Sequence, residues 1–152
     1  MMDNIDRLTA VEQIRKTKAR YFRYVDAKDW TTWRTLFTDD LVVDASASSS
    51  AKLGDGDVIS GADAFVAAVK EALSDIETIH HGHMGEIDVL GPDDATAVWA
   101  MQDWLYFGPT KKALRKADMM QGWGYYFERY RRVGDEWLIC EWKHVRTRNE
   151  YR

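Results

Sequence analysis

The stretch that decides the fold is residues 78–107, TIHHGHMGEIDVLGPDDATAVWAMQDWLYF. Two long runs, 78–90 and 95–107, alternate apolar and polar residues and flank the turn sequence GPDD at 91–94. A period of two on both sides of a Gly-Pro turn predicts two strands paired as a hairpin. We therefore expect an antiparallel sheet in this part of the chain.

A second pair of strands is predicted nearer the C-terminus. Residues 119–133 are rich in Tyr and Trp, and Gly134-Asp135 separates them from the strand-like run 136–148. The polar residues 108–116 between the two pairs, with their cluster of Lys and Arg, are expected to form a loop. The two pairs together predict an antiparallel meander.

The N-terminal part of the chain has a helical period instead. Helices are predicted for residues 6–26, 29–37 and 60–73, short strands for 41–44 and 58–59, and a serine-rich loop for 45–57. Thr9 with Glu12 is the predicted capping box of the first helix, Asp29 is the predicted cap of the second, and Lys18 is expected in solvent. Helices followed by long antiparallel strands predict an α+β fold, a cone-shaped barrel in which a strongly curved sheet wraps three helices.

The bulk composition limits the function. The 152 residues suggest one domain spanning 1–152, and a net charge of −4 offers no basic surplus for a nucleic-acid partner. The single cysteine, Cys140, excludes an internal disulfide and is expected to be a buried, inert thiol in a reducing compartment. The N-terminus has no signal-peptide pattern, and no apolar run is long enough for a membrane span. These features predict a cytoplasmic protein with no membrane partner.

Three of the four histidines lie together in the first hairpin strand, at His80, His81 and His83. Two interpretations stay open. His81 and His83 share a face at a spacing that a metal could use, although nothing nearby completes such a site. Alternatively, one imidazole is a general base, which needs a carboxylate to orient it. The residues alone do not choose between His80 and His81.

Two acids are candidates for that carboxylate, Asp26 at the end of the first helix and Asp103 on the apolar face of 95–107. Asp26 is also interpretable as an ordinary exposed turn residue. A buried Asp103 needs a partner, so it either contacts a ligand or pairs with an arginine such as Arg129 or Arg146.

Aromatic residues are abundant, with seven Trp, seven Tyr and five Phe, and a minority are expected to face a ligand. Tyr24 and Phe22 compete as the ring that faces inward from the first helix. The candidates for substrate contact are Tyr24, Trp99, Met101, Asp103 and Tyr125. Strand aromatics near Trp104, Trp123 and Trp142 predict an outer sheet face that meets a partner, so a homo-oligomer, dimer or trimer, is expected.

The order of several segments resembles the SnoaL-like superfamily, which has the nuclear transport factor two-like, cystatin-like fold. The segments are LFTDD (36–40), GADAFVAAV (61–69), ETIHHGHMGEI (77–87), ATAVWAMQD (95–103), FERYRR (127–132) and EWLICEWKHVRTR (136–148). The resemblance covers nearly the whole chain, and it extends to uncharacterised bacterial members. Known members include dehydratases, a dehydrochlorinase and polyketide cyclases.

This resemblance implies catalytic roles for three residues. His80 matches the base of the dehydrochlorinase, Asp26 matches the aspartate that orients the base, and Tyr21 takes the place of a polar helper five residues before it. One dehydratase of the superfamily uses a second histidine on the following strand. This chain has no counterpart, since no histidine lies between Gly85 and Lys143.

The resemblance implies a cofactor-independent lyase of the dehydratase type, or an isomerase. Its substrate would be small and hydrophobic, cyclic or polycyclic. The implied mechanism is His-Asp general base catalysis without a metal. The alternatives are a non-enzymatic ligand-binding or assembly module of the same fold, or the small subunit of a ring-hydroxylating dioxygenase. A cone filled by Trp and Tyr, with no void near His80, would favour the binding alternative.

Overall fold

A computed structural model describes residues 2–47 and 58–152, so most of the loop predicted at 45–57 lies outside the described residues. The helices are α1 (Asn4–Ala27), α2 (Trp30–Arg34), α3 (Ala62–Ala72) and α4 (Pro109–Arg115), and the strands are β1 (Phe37–Asp44), β2 (Val58–Ser60), β3 (Ile76–Val89), β4 (Asp94–Phe107), β5 (Met119–Val133) and β6 (Glu136–Tyr151). The predicted order of elements is confirmed apart from α4. The long strands differ from their predicted bounds by no more than three residues at either end.

The strands form one six-stranded sheet in the order β2-β1-β6-β5-β4-β3. Strands β3 to β6 are an antiparallel meander, whereas β1 runs parallel to β6, so the sheet is mixed. Because β2 and β3 are the two ends of this order, the curved sheet is an open cone and not a closed barrel. The predicted α+β cone is confirmed, with three helices preceding the four long strands.

Helix α1 begins earlier than predicted. Asp3 is its N-cap, accepts a hydrogen bond from the backbone N–H of Asp6, and forms a capping box with that residue. The prediction that Thr9 and Glu12 cap the helix is therefore wrong, because a second capping pattern lies earlier in the sequence, at residues 3–6, and the chain uses that one. The helix ends at Ala27, and Lys28 is its C-cap with a left-handed backbone (φ 58°). The backbone N–H groups of Lys28 and Asp29 bond back to the carbonyls of Val25 and Tyr24.

One stripe of α1 lies against the inside of the sheet. Its buried members, Ile14, Lys18, Tyr21 and Val25, are spaced by three or four residues. Lys18 was predicted to be in solvent, and this prediction is wrong: its ammonium Nζ lies 2.6 Å from Glu128 Oε1 in the core. The helical period itself places position 18 on the apolar stripe, whatever residue occupies it.

Helix α4 replaces the loop predicted at 108–116. Its first turn has no side-chain cap of its own, but the carboxylate of Asp75 accepts hydrogen bonds from the backbone N–H groups of Thr110 and Lys111, at 2.8 and 3.3 Å. Because this cap comes from a residue more than thirty positions away, local sequence patterns give no sign of it.

Cys140 is buried and unpaired, as predicted, and burial raises the pKa of its thiol. Within the described residues, none of the helices combines the length and the apolar character that a membrane crossing requires.

Candidate active site

Asp26 and His80 are in direct contact where the end of α1 meets β3. His80 Nδ1 lies 2.6 Å from Asp26 Oδ1, and the backbone N–H of His80 donates to Asp26 Oδ2 at 2.9 Å. The hydroxyl of Thr78 donates to the same carboxylate at 2.8 Å. The structure therefore brings together the two residues that the sequence singled out, and it selects His80 over His81 as the neighbour of Asp26.

These hydrogen bonds keep Asp26 ionised. Partial burial raises the pKa of this carboxyl, but the hydrogen bonds from His80 and Thr78 and the electrostatic attraction of the His80 ring outweigh burial and leave the pKa below its usual value. The ammonium of Lys28 extends the network by donating to the Thr78 hydroxyl at 2.7 Å. An ionised carboxylate on Nδ1 fixes the imidazole tautomer that has its proton on Nδ1 and a free lone pair on Nε2.

Phe22, and not Tyr24, is the ring of α1 that faces the histidine. The rings of Phe22 and His80 are 6.3 Å apart with planes 20° from parallel. Gly82 makes room for this ring, because a Cβ at position 82 would lie 2.3 Å from Phe22 Cε2. Tyr24 instead lines a surface depression between α1, α2 and the start of β6.

An apolar cavity opens beside His80 inside the cone. Its volume is about 130 Å³, close to the roughly 150 Å³ of an engineered apolar cavity that binds benzene. The lining residues that carry a polar side-chain atom are Tyr21, His80, Arg115, Tyr126, Trp142, His144, Arg146 and Tyr151, and the remaining lining residues are apolar.

Tyr21, the third predicted catalytic residue, lies in the cavity wall. Its hydroxyl oxygen accepts a hydrogen bond from Trp142 Nε1 at 3.1 Å. Complete burial and the nearby Tyr126 and Glu128 raise the pKa of Tyr21 well above its usual value, so it remains a neutral phenol. Its hydroxyl also interacts with the Tyr126 side chain.

Asp103 is paired with Arg146, one of the two arginine partners that the sequence allowed. Both guanidinium Nη atoms donate to the two carboxylate oxygens, which is the bidentate geometry typical of Arg–carboxylate pairs. Arg129 pairs with Asp94 instead. Asp103 Oδ2 lies 3.7 Å from His80 Nε2, so the second imidazole nitrogen is close to this pair but not hydrogen bonded to it.

None of the five predicted substrate-binding residues lines the cavity, since Asp103, although paired with Arg146, is also absent from its wall. Besides Tyr24, the structure places Trp99 and Met101 in the packed core on the inner face of the sheet and Tyr125 on its outer face, where it is 43% exposed. Tyr126, the neighbour of Tyr125, lines the cavity in its place. The prediction that Trp142 lies on the outer face is also wrong, because it is buried and lines the cavity.

His144 is the residue that sequence reasoning missed. It shares the inner face of β6 with Trp142 and Arg146, and its ring stacks on Tyr126 with centroids 4.6 Å apart. Burial, with the positive charges of Arg146 and Lys18 and the nearby His80, lowers its pKa well below the usual value, so it is neutral. Alternation along residues 136–148 was the signal that could have found it, because it places position 144 on the same face as Arg146.

His81 and His83 lie on the exposed part of β3, and the ring of His81 packs against Trp104 at 5.2 Å. Among residues 2–47 and 58–152, no group of three or more His, Cys, Asp or Glu is placed to hold a metal ion.

Fold and site together define a class of small α+β cones that hold an Asp–His pair at an apolar cavity. Residues 6–143 match the family described as the SnoaL-like domain, and the chain therefore belongs to this family.

Individual relatives agree with this assignment. The chain is 27% identical over 135 residues to "Probable cyclase FGR4" of Gibberella zeae, covering 83% of each protein. Its fold is similar to a protein named "Putative Scytalone Dehydratase" from Novosphingobium aromaticivorans (TM-score 0.82, 15% identity, 99% of this chain and 92% of that one). It is also similar to hexachlorocyclohexane dehydrochlorinase LinA-type3 from Novosphingobium barchaimii (TM-score 0.81, 13% identity, 99% and 94%). At these identities, the two structures establish the fold alone.

Proposed function

We propose that the chain is a cofactor-independent lyase or isomerase that removes a proton from carbon in a small hydrophobic, cyclic or polycyclic substrate. The observation that carries the proposal is the 2.6 Å contact between His80 Nδ1 and Asp26 Oδ1 at the wall of an apolar cavity. With Nδ1 bound to Asp26, Nε2 takes the proton. General base catalysis of this kind contributes about 10²- to 10⁴-fold to a rate, and positioning in the cavity supplies the rest.

Each of the three predicted catalytic residues has a distinct role in this proposal. Asp26 holds the imidazole and stabilises the imidazolium that forms when His80 accepts the proton. Tyr21 donates its phenolic proton to a leaving hydroxyl or to a carbonyl oxygen. In an elimination, hydrogen and hydroxyl leave adjacent carbons as water; in an isomerisation, His80 returns the proton to a different carbon.

The names of individual relatives support the proposed reaction class. They include a "Probable cyclase", a "Putative Scytalone Dehydratase" and a hexachlorocyclohexane dehydrochlorinase. A binding or assembly module was expected to have a cone filled by Trp and Tyr, and the cavity next to His80 favours the enzyme instead. The exposed rings of Tyr125 and Phe127 on the outer face support the further proposal of a homo-oligomer.

The test uses wild-type protein, His80→Gln and, as the matched control, the exposed histidine variant His83→Gln. Bicyclic β-hydroxy ketones are assayed for loss of water, and 2-tetralone for exchange of its α-hydrogens with deuterium oxide by NMR. We expect wild type to accelerate at least one reaction, His80→Gln to lose about 10²-fold or more, and His83→Gln to match wild type. A His80→Gln variant as active as wild type, or a wild type inert toward every compound, overturns the proposal.

A further inference from the structure

A buried nitrogen in the cavity wall has no partner. His144 Nε2 is shielded from solvent, and within the described residues it makes no hydrogen bond. Buried polar groups are nearly always hydrogen bonded, because leaving one unpaired forfeits its interaction with water. Since His144 also lines the cavity that contains His80, a ligand in that cavity is the natural source of the missing partner.

The surroundings hold the His144 ring in place. One face stacks on Tyr126, with ring planes 21° from parallel, and Trp142 meets it edge-on at 5.8 Å. In the sheet, position 144 lies directly opposite Tyr126 on β5, so the stack is built into the strand register. A ring fixed in this way is a preorganised hydrogen-bonding group, which binds a ligand without first losing side-chain freedom.

A second unpartnered nitrogen indicates what kind of atom is missing. Arg146 follows two positions along the same face of β6, and its Nε is also buried without a partner although both Nη atoms bond to Asp103. A guanidinium N–H can only donate, so the group that would satisfy it is an acceptor. His144, which is neutral, can donate through one of its ring nitrogens.

We propose that His144 is a specificity-determining residue that donates a hydrogen bond from Nε2 to a carbonyl oxygen of the substrate, and that the substrates are therefore hydrophobic cyclic ketones. The carbonyl acidifies the neighbouring carbon, which is the one presented to His80. When His80 Nε2 takes the α-hydrogen as a proton, the C–H electron pair moves into the new C=C bond and the carbonyl π pair onto the oxygen. A neutral imidazole is well suited to this position, since it polarises a carbonyl without giving up its proton.

This inference rests on the proposed function, because it takes the cavity as the substrate site, but its test needs no turnover. Dissociation constants of 2-tetralone and of tetralin, the same bicyclic skeleton without oxygen, are measured by calorimetry on wild type, His144→Phe and His144→Asn. His144→Phe keeps a ring for the Tyr126 stack and loses the N–H, whereas His144→Asn keeps a donor. The exposed variant His83→Phe is the matched control.

We expect wild type to prefer the ketone over tetralin by about ten-fold, which is the size of effect that one hydrogen bond to a buried group produces. His144→Phe should abolish this preference without changing the affinity for tetralin, His144→Asn should retain part of it, and His83→Phe should leave it unchanged. A preference that survives in His144→Phe, or a wild type that binds the ketone no better than tetralin or not at all, overturns the proposal. Because binding is measured without catalysis, the two proposals can fail separately. A His80→Gln variant as active as wild type overturns the proposed function, whereas a ketone preference that survives in His144→Phe overturns the role of His144.

Discussion

Asp26 holds His80 through both of its carboxylate oxygens, one on the imidazole Nδ1 and one on the backbone N–H. The side chain and the main chain of the histidine are therefore fixed by one acid, and the Thr78 hydroxyl in turn fixes that acid. Such an arrangement leaves Nε2 as the only imidazole nitrogen free to act on a ligand.

Replacing Asp26 by asparagine tests the role of this carboxylate. Asp26→Asn keeps the size of the side chain but removes the charge that stabilises an imidazolium, so we expect kcat to fall by about 10²- to 10⁴-fold in the reaction identified for wild type. Asp29→Asn, three residues away at the cap of α2, is the control, because asparagine caps a helix as well as aspartate does. Equal losses in the two variants would contradict a specific role for Asp26.

The residues of the site differ in how far the sequence reveals them. Asp26 and His80 stand out because charged and titratable groups interrupt apolar patterns, and the family resemblance decides between His80 and His81. His144 does not stand out, since a single histidine in a strand of mixed character looks like any half-buried residue. The sequence predicted Tyr125 as a substrate contact, whereas Tyr126 lines the cavity. An error of one position is enough, because it moves a strand residue to the other face of the sheet.

Among the elements, strand β5 can lie next to the Asp103–Arg146 ion pair because its residue 122 is glycine. A Cβ at Gly122 would lie 1.8 Å from Arg146 Nη1 and 2.6 Å from Asp103 Oδ1, so only glycine leaves room for this ion pair between β4 and β6. Gly122 is directly opposite Asp103 in the register of β4 and β5. The glycine in the strand is thus explained by a close approach of neighbouring side chains.

Gly122→Ala should displace the guanidinium of Arg146 from Asp103. We expect the free energy of unfolding to fall by about 1–3 kcal/mol, as for other insertions into a packed interior. Gly91→Ala is the matched control, because nothing lies within 4 Å of a Cβ at that position, and its effect should stay within about 0.5 kcal/mol. Urea denaturation measures both; a Gly122→Ala variant as stable as Gly91→Ala would show that the space is not needed.

Long elements were the easiest to predict. The strands of the first hairpin and the strand 119–133 follow from alternation and from turn residues, both of which are local signals. Helix α4 was missed because its cap is Asp75, which is distant in sequence, and β1 was begun four residues late because Phe37 also continues the apolar pattern of the preceding helix.

At the scale of the whole molecule, the least expected feature is the ion pair inside the cone. Lys18 Nζ lies 2.6 Å from Glu128 Oε1 and above the rings of Tyr21 and Tyr126, at 3.9 and 3.7 Å from their centroids. The hydroxyl of Tyr130 donates to the other Glu128 oxygen at 2.6 Å.

The parallel pairing of β1 with β6 could not be predicted either, because no local sequence pattern indicates which strands of a curved sheet become neighbours.

Removing one member of this buried pair should be costly. Lys18→Met leaves the Glu128 carboxylate uncompensated in the core, and we expect a loss of about 3–5 kcal/mol in the free energy of unfolding. The double variant Lys18→Met/Glu128→Gln removes both charges and keeps an acceptor for Tyr130, so it should recover most of that loss. If the double variant is no more stable than Lys18→Met, the cost does not come from the unpaired charge.

The same lysine makes stability depend on pH. Burial lowers the pKa of Lys18 to about 8, although Glu128 partly opposes this. Between about pH 8 and pH 10 the unfolded chain therefore binds more protons at this position than the native state does, and stability should rise with pH over that window. Unfolding measured at about pH 7.5 and pH 9.5 should show the rise in wild type and in the exposed control Lys16→Met, but not in Lys18→Met/Glu128→Gln. If the unfolding free energy still rises with pH in the double variant, other titratable groups cause the rise.

The most direct test of the central claim, that His80 and Asp26 act as a base on carbon inside the cone, is a crystal structure of the wild-type protein with 2-tetralone. We expect the ketone to lie in the cavity, with an α-carbon within about 3.5 Å of His80 Nε2 and with Nδ1 still bound to Asp26. An α-carbon more than about 5 Å from Nε2, a broken His80–Asp26 contact or an unoccupied cavity would contradict it.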